Sequence, residues 1–249
     1  MKKIVLSFLA VLALPLFADA QQLVAVNFET GFNFRFGEMK DFQQIRRGTS
    51  VFDDCGNDFD LTGTTSFFLG VKPEIALSDK FSILAGARLT TAHSSLLPFD
   101  NYFLWDIRND GTTADCARIN SIRQDNIYVG VPVELRWIIR GIHCISPYIK
   151  AGASADFRVY THNNINFRNK RMERYSDTID DQIGDPKSVS VPVYGAVGIQ
   201  CGPNRCISAE FQLPNYTRNA QSSFFDSSAW GFGFQVSYRL PLIKNISQE

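Results

Sequence analysis

Ile127-Tyr128-Val129-Gly130-Val131-Pro132-Val133-Glu134-Leu135-Arg136-Trp137-Ile138-Ile139 carries an apolar residue at every second position from Ile127 to Ile139. The residues between them, among them Gly130, Glu134 and Arg136, are polar, small or mixed. Successive side chains of a strand point to opposite faces, so this segment has one apolar face and one face with a carboxylate and a guanidinium. A helix would scatter both sets around its circumference.

The next segment repeats the pattern, with Ile149, Ala151, Ala153, Ala155, Phe157 and Val159 on one face and Lys150, Gly152, Ser154, Asp156 and Arg158 on the other. Similar alternation runs through Phe28 to Phe36, Phe67 to Leu77, Phe81 to Leu89, Val189 to Ile199, Ile207 to Leu213 and Trp230 to Leu240, which makes eight strands. A bilayer is crossed by about nine to eleven tilted strand residues, a length the better segments reach. The connections Ser78 to Lys80, Gly141 to Ser146 and Gly202 to Arg205 are short, and they alternate with long stretches at 38–65, 91–125, 161–188 and 214–228. Short periplasmic turns, long external loops and an even strand count predict an all-β, eight-stranded antiparallel up-and-down transmembrane barrel in the outer membrane, in contact with its lipid.

If the apolar faces meet lipid, Glu29, Arg35, Lys72, Glu74, Arg88, Glu134, Arg136, Lys150, Asp156, Arg158, Glu210 and Arg239 face the lumen. An eight-stranded interior is only wide enough for side chains to fill it. Mixed charges there should form a paired, hydrogen-bonded network, because an unpaired buried charge is costly. The expectation is a plugged barrel and no open pore. Trp137, Phe81 and Tyr238 toward the periplasm, with Trp230 and Phe67 toward the outside, fit the aromatic girdles of such barrels. Pro132 and Pro192 lie within strands and are expected to mark local bulges.

Residues 1–20 read as a signal peptide: Lys2 and Lys3, an apolar run from Ile4 to Phe17, then Ala18-Asp19-Ala20. Residues 21–249 read as one barrel domain. Lys and Arg balance Asp and Glu at 25 each, so composition gives no basic surface for nucleic acid. Export leads to an oxidising compartment. Of the five cysteines, Cys201 and Cys206 flank a short turn and are expected to pair, Cys55 and Cys116 are expected to tie the first two external loops, and Cys144 is left over.

The stretch from Asn126 to Trp137, followed by Pro147-Tyr148-Ile149-Lys150-Ala151-Gly152-Ala153, resembles the PorT-like outer-membrane β-barrel family of Bacteroidetes. In that family an apolar-Pro-apolar strand is followed by a Pro-Tyr-apolar hairpin partner ending in Ala-Gly. The resemblance implies an outer-membrane location and a barrel fold. The best-known member is linked to a protein-secretion machine.

Chemistry is sparse. His93 and Ser95 project to one face, as a base and nucleophile would, but no orienting acid is evident in the sequence. His143 and His162 are scattered, and no metal or cofactor is expected. Asp53, Asp54, Asn57, Asp58 and Asp60 surround Gly56; a solvated acidic loop is favoured over a calcium site, since the spacing is not that of an EF-hand. The second external loop is apolar, with Phe99, Tyr102, Phe103 and Trp105, and packs on itself over the mouth, dips into the outer leaflet or meets a membrane or periplasmic protein. The readings that follow are a binding or assembly barrel, non-enzymatic and serving a secretion machine, with a lipid A-modifying enzyme or a passive structural barrel as alternatives.

Overall fold

The computed structural model describes residues 23–42, 44–46, 63–98, 102–107, 116–139, 145–202 and 205–242. The expected signal peptide, Cys55, Cys144, Phe99, His143 and the acidic cluster around Gly56 lie outside the described residues.

The strands are β1 (Leu23–Met39), β2 (Ile45–Arg46), β3 (Gly63–Ala76), β4 (Phe81–Ala85), β5 (Ala87–Leu96), β6 (Phe103–Asp106), β7 (Cys116–Ile138), β8 (Ser146–Phe167), β9 (Val189–Cys201), β10 (Ile207–Arg218) and β11 (Phe225–Pro241). Between β8 and β9 lie a 3-10 turn, Lys170–Tyr175, and the helix α1, Ser176–Ile183. All ladders are antiparallel, and β1 pairs with both β3 and β11, which closes the sheet on itself. β4 and β5 form a single stave: both pair with β3 and β7, with residue sums that keep one register across Gly86. The barrel therefore has eight staves in chain order, and closure leaves no barrel edge. β2 and β6 form a small extension on the outer end of β7.

Two staves are much longer than the sequence pattern suggested. β7 has 23 residues and β8 has 22, against 13 in β9 and 12 in β10. Parts of the stretches 91–125 and 161–188 are thus barrel wall that stands above the membrane on one side. Bulges at both strands adjust this wall: the β7–β8 register shifts between Ile127 and Tyr128 and again between Ile119 and Ser121. Each extra residue changes which side chains face inward.

The proline expectation needs correction. Register is unbroken through Pro132, which pairs with Ser154, and the β8–β9 register is the same on either side of Pro192. Gly86 N–H still donates to the Pro132 carbonyl at 3.2 Å, so the missing proline donor opens the ladder locally without slipping it. The β9–β10–β11 bulge is instead at Leu213-Pro214, where both ladders shift between Gln212 and Asn215.

Outside, the membrane-depth wall is apolar, with Phe28, Leu69, Leu89, Val133, Leu135, Val197 and Phe234 all exposed. Phe81 and Trp137 stack at the end with the short turns, their ring planes 9° apart. At the other end Trp230 packs beside Phe36. Among the described residues no helix is long and apolar enough to cross a membrane. The crossing is made by strands.

Candidate functional site: the closed lumen and its outer mouth

Strand alternation aims the charged residues inward, and closure buries them. Among the described residues five acids (Glu29, Glu74, Glu134, Asp156, Glu210) and five bases (Arg35, Lys72, Arg88, Arg136, Lys150) are buried, so these lumen charges balance in sign. Arg239 and Arg158 lie nearer the two ends and keep some exposure.

Glu134 is the hub. Its carboxylate accepts from Lys72 Nζ at 2.6 Å, faces Lys150 Nζ at 3.1 Å and Arg88 Nη2 at 3.4 Å, and accepts the Tyr194 hydroxyl. Lys72 and Arg88 also meet Glu29, and Lys150 meets Glu210, which accepts the Tyr148 hydroxyl at 2.9 Å. Nearer the periplasmic end, Glu74 takes Arg136 at 2.9 Å, Arg239 at 2.8 Å and the Asn27 amide at 3.0 Å. Arg88 lies over the Phe68 ring, 4.3 Å from its centroid. Two inward glycines provide the room this network occupies. A Cβ on Gly70 would stand 2.5 Å from Glu29 Oε1, and one on Gly130 would stand 2.2 Å from Asp156 Oδ1. What space remains beside Lys72, Glu134 and Glu210 amounts to a void of about 10 Å³, the size of one water at most.

Above this layer the lumen is stopped by a segment that sequence reasoning treated as an external loop. Residues 220–224, between β10 and β11, are all buried. Arg35 donates to Gln221 Oε1 at 2.5 Å, and the Gln221 amide donates to Asp156 Oδ2 at 2.8 Å. Among the described residues Arg35 and Asp156 make no direct ion pair, so the side chain of Gln221 links a base to an acid across the barrel. Asn126 donates to the Gln221 carbonyl, and Gln124 donates to Ser223 and accepts the Ser223 N–H. No sequence signal marks Gln221, which sits in an ordinary polar run; the neighbouring Phe224-Phe225 pair was the available hint of burial.

The third layer is apolar. Phe42, Leu96, Phe103, Trp105, Ile107, Ile119, Ile122, Phe167, Ile179, Ile183 and Phe224 form a core over the mouth. It draws on four connections, with α1 laying Ile179 and Ile183 against the extended wall. Trp105 donates from Nε1 to Gln182 Oε1 at 2.5 Å, which gives its one polar group a partner inside the core. The aromatic second loop thus packs on itself: Trp105 is fully buried and Phe103 nearly so, which removes both from a surface open to a partner. Tyr102 faces outward, with the guanidinium groups of Arg118 and Arg168 both against its ring.

The Cys201–Cys206 expectation is corrected, while the Cys55–Cys116 expectation rests on Cys55, outside the described residues. Cys201 pairs with Ile207 in the β9–β10 ladder, so Cys206 lies one residue out of register with it, beside Gly202, and both are thiols. Cys116 Sγ donates to Asp106 Oδ1 at 2.9 Å.

His93 does have an acid. β5 and β7 place it opposite Asp125, with Nδ1 to Oδ1 at 2.6 Å, on the outer wall just above the apolar band. Both side chains are about half exposed or more. Ser95 lies two residues along β5. His162 follows on β8, opposite Asp125. Among the described residues no group of three or more His, Cys, Asp or Glu is arranged to hold a metal ion.

No protein-family model and no curated protein matches the sequence. Solved structures that resemble it include Neisserial surface protein A, at 7% identity and a TM-score of 0.39, over 86% of this chain and 96% of that one. Two others score 0.32. Ail, the attachment invasion locus protein of Yersinia pestis, solved in complex with the heparin analogue sucrose octasulfate, is 9% identical over 87% of this chain and 97% of its own. The outer membrane protein OprG from Pseudomonas aeruginosa is 12% identical over 88% and 98%. Likenesses this distant carry nothing about role. The architecture rests on the closed ladder, the apolar exterior and the charged interior, which together make this an outer-membrane type of β-barrel.

Proposed function

We propose that this chain is a non-conducting, non-enzymatic outer-membrane barrel that acts as a binding or assembly protein through its rigid outer end. One observation carries the reading: the lumen is closed three times over, by the Glu134 ion-pair network, by Gln221 between Arg35 and Asp156, and by the apolar cap around Trp105. A barrel so closed has no route for solute, and its remaining asset is a stiff surface. The resemblance to PorT-like proteins adds the expectation that the partner belongs to a protein-secretion machine. Two measurements test this. Purified protein in planar bilayers should give no stable channels; and crosslinking in native outer membrane should recover a stoichiometric membrane or periplasmic partner. Stable conductance would overturn closure, and recovery of the barrel alone would leave a passive structural role.

A second reading, a lipid-modifying enzyme, is favoured by the His93–Asp125 pair, two residues along β5 from Ser95. An acid that orients an imidazole next to a hydroxyl is the arrangement nucleophilic catalysis needs. Mass spectrometry of lipid A from cells carrying His93→Ala distinguishes it: an unchanged lipid profile removes this reading.

A further inference from the structure

The apolar cap occupies only the inner side of the wall that β6, β7 and β8 raise above the membrane. Its outer side is polar. Arg118, Arg123, Asn164, Asn166 and Arg168 are exposed there, and Tyr102 stands partly exposed among them. Arg118 and Arg168 both lie against the Tyr102 ring, their guanidinium carbons 5.2 Å and 4.8 Å from its centroid, and the Arg168 N–H donates to the Arg118 carbonyl at 2.9 Å. Two like charges are therefore held against one ring by backbone and stacking. Among the described residues, Arg118, Arg123 and Arg168 have no carboxylate in ion-pair reach. Of the acids on this face, Asp106 of β6 pairs with Cys116 and accepts from its Sγ at 2.9 Å, and Asp125 at the foot is engaged with His93.

Position identifies what such a face meets. It looks sideways, parallel to the membrane plane, and begins directly above the apolar residues Ile127 and Val129 of the same strand. What lies beside it is the headgroup layer of the neighbouring outer-leaflet lipids. Paired guanidiniums fit phosphate oxygens, an exposed tyrosine ring packs on a sugar face, and asparagine amides satisfy hydroxyls. We propose that the outer face of this wall binds the phosphate-bearing saccharide headgroup of an outer-leaflet glycolipid, with Arg118, Arg168 and Tyr102 at its centre. This does not depend on the barrel having a protein partner.

The test uses full-length protein in detergent micelles, freed of bound lipid, with lipopolysaccharide as the probe and native mass spectrometry as the readout. The Arg118→Gln/Arg168→Gln protein should bind at least about tenfold more weakly, the loss expected when two charge-assisted contacts go, while Arg118→Lys/Arg168→Lys, which keeps both charges but loses the planar forks, should bind between that variant and the unaltered protein. Folding of each variant is checked by its heat-modifiable gel migration, and Lys80→Gln on a periplasmic turn should change nothing. Dephosphorylated lipopolysaccharide should bind as poorly as the Gln variant does. Equal binding of the Gln variant, or of the dephosphorylated lipid, would overturn the proposal. Displacement by millimolar inorganic phosphate alone would also overturn it, because the site would then recognise a free anion and not the saccharide.

Discussion

The two halves of β7 obey opposite rules. From Tyr128 to Arg136 the inward residues are polar, charged or small and the outward ones, Val129 to Leu135, are apolar. From Cys116 to Gln124 the inward residues include Ile119 and Ile122, buried in the cap, while Arg118 and Arg123 face out. β8 does the same, with Lys150 and Asp156 inside below, and Ile165 and Phe167 inside above. One pair of strands passes from lipid to water and exchanges its faces on the way. The lower half is built as a membrane barrel, and the upper half as the edge of a soluble protein with an apolar core. The solvent on the outside decides which face is apolar, and the bulges near Ile127 and Asn120 reset which residues serve each side.

This contrast is most easily broken at its lower half. Glu134→Ala would leave Lys72, Arg88 and Lys150 facing one another with their shared carboxylate gone. Removing one partner of a buried ion pair costs about 3–5 kcal/mol. Denaturant unfolding in lipid vesicles should show a loss of that order for the whole barrel. A loss under 1 kcal/mol would mean that water reaches the network.

The upper half should fail separately. Trp105→Ala empties the centre of the cap, and a buried tryptophan truncated to alanine costs about 3 kcal/mol or more. Because the barrel ladders do not depend on that core, the loss should be local: proteolysis within 168–188 should rise sharply while heat-modifiable migration stays that of a folded barrel. If the whole barrel unfolded with the cap, the two halves would be one cooperative unit.

Gln221 joins the halves, so it tests their coupling. Gln221→Ala would strip Arg35 and Asp156 of the amide between them, at about 1–3 kcal/mol for buried groups left unsatisfied. Gln221→Glu keeps the shape and adds a carboxylate beside Asp156. It should weaken the barrel more at neutral pH than at acid pH, where a proton on either carboxyl relieves the repulsion. Equal loss at both pH values would place the Gln221 side chain away from Asp156.

How much of this was legible follows from the same contrast. Strict alternation from Ile127 to Ile139 and from Ile149 to Val159 is a backbone-period signal and needs no partner, so the staves and their inward charges could be read directly. Alternation does not say which face is wet. Ile119, Ile122, Ile165 and Phe167 therefore read as loop residues, and the wall above the membrane was missed. Contacts that depend on register were beyond reach. His93 meets Asp125 only because β5 and β7 pair with that offset, and Cys206 misses Cys201 by a single residue in the β9–β10 ladder. Gln221 is harder still, since its role arises from a chain reversal into a space that the sequence does not outline.

The smallest expected effect bears on how tightly the lower half is packed. Gly70 and Gly130 face the lumen where a Cβ would collide with Glu29 and Asp156. Gly195 also lies in a stave, but a Cβ there would find its nearest neighbour at 3.6 Å, an ordinary contact. Gly70→Ala should therefore cost about 1–3 kcal/mol as an overpacking change, and Gly195→Ala close to nothing. Both lose the same backbone freedom in the unfolded chain, so their difference reports the lumen alone. Equal unfolding midpoints would show that Glu29 swings aside without loss, and that the ion-pair network has more slack than a void of about 10 Å³ implies.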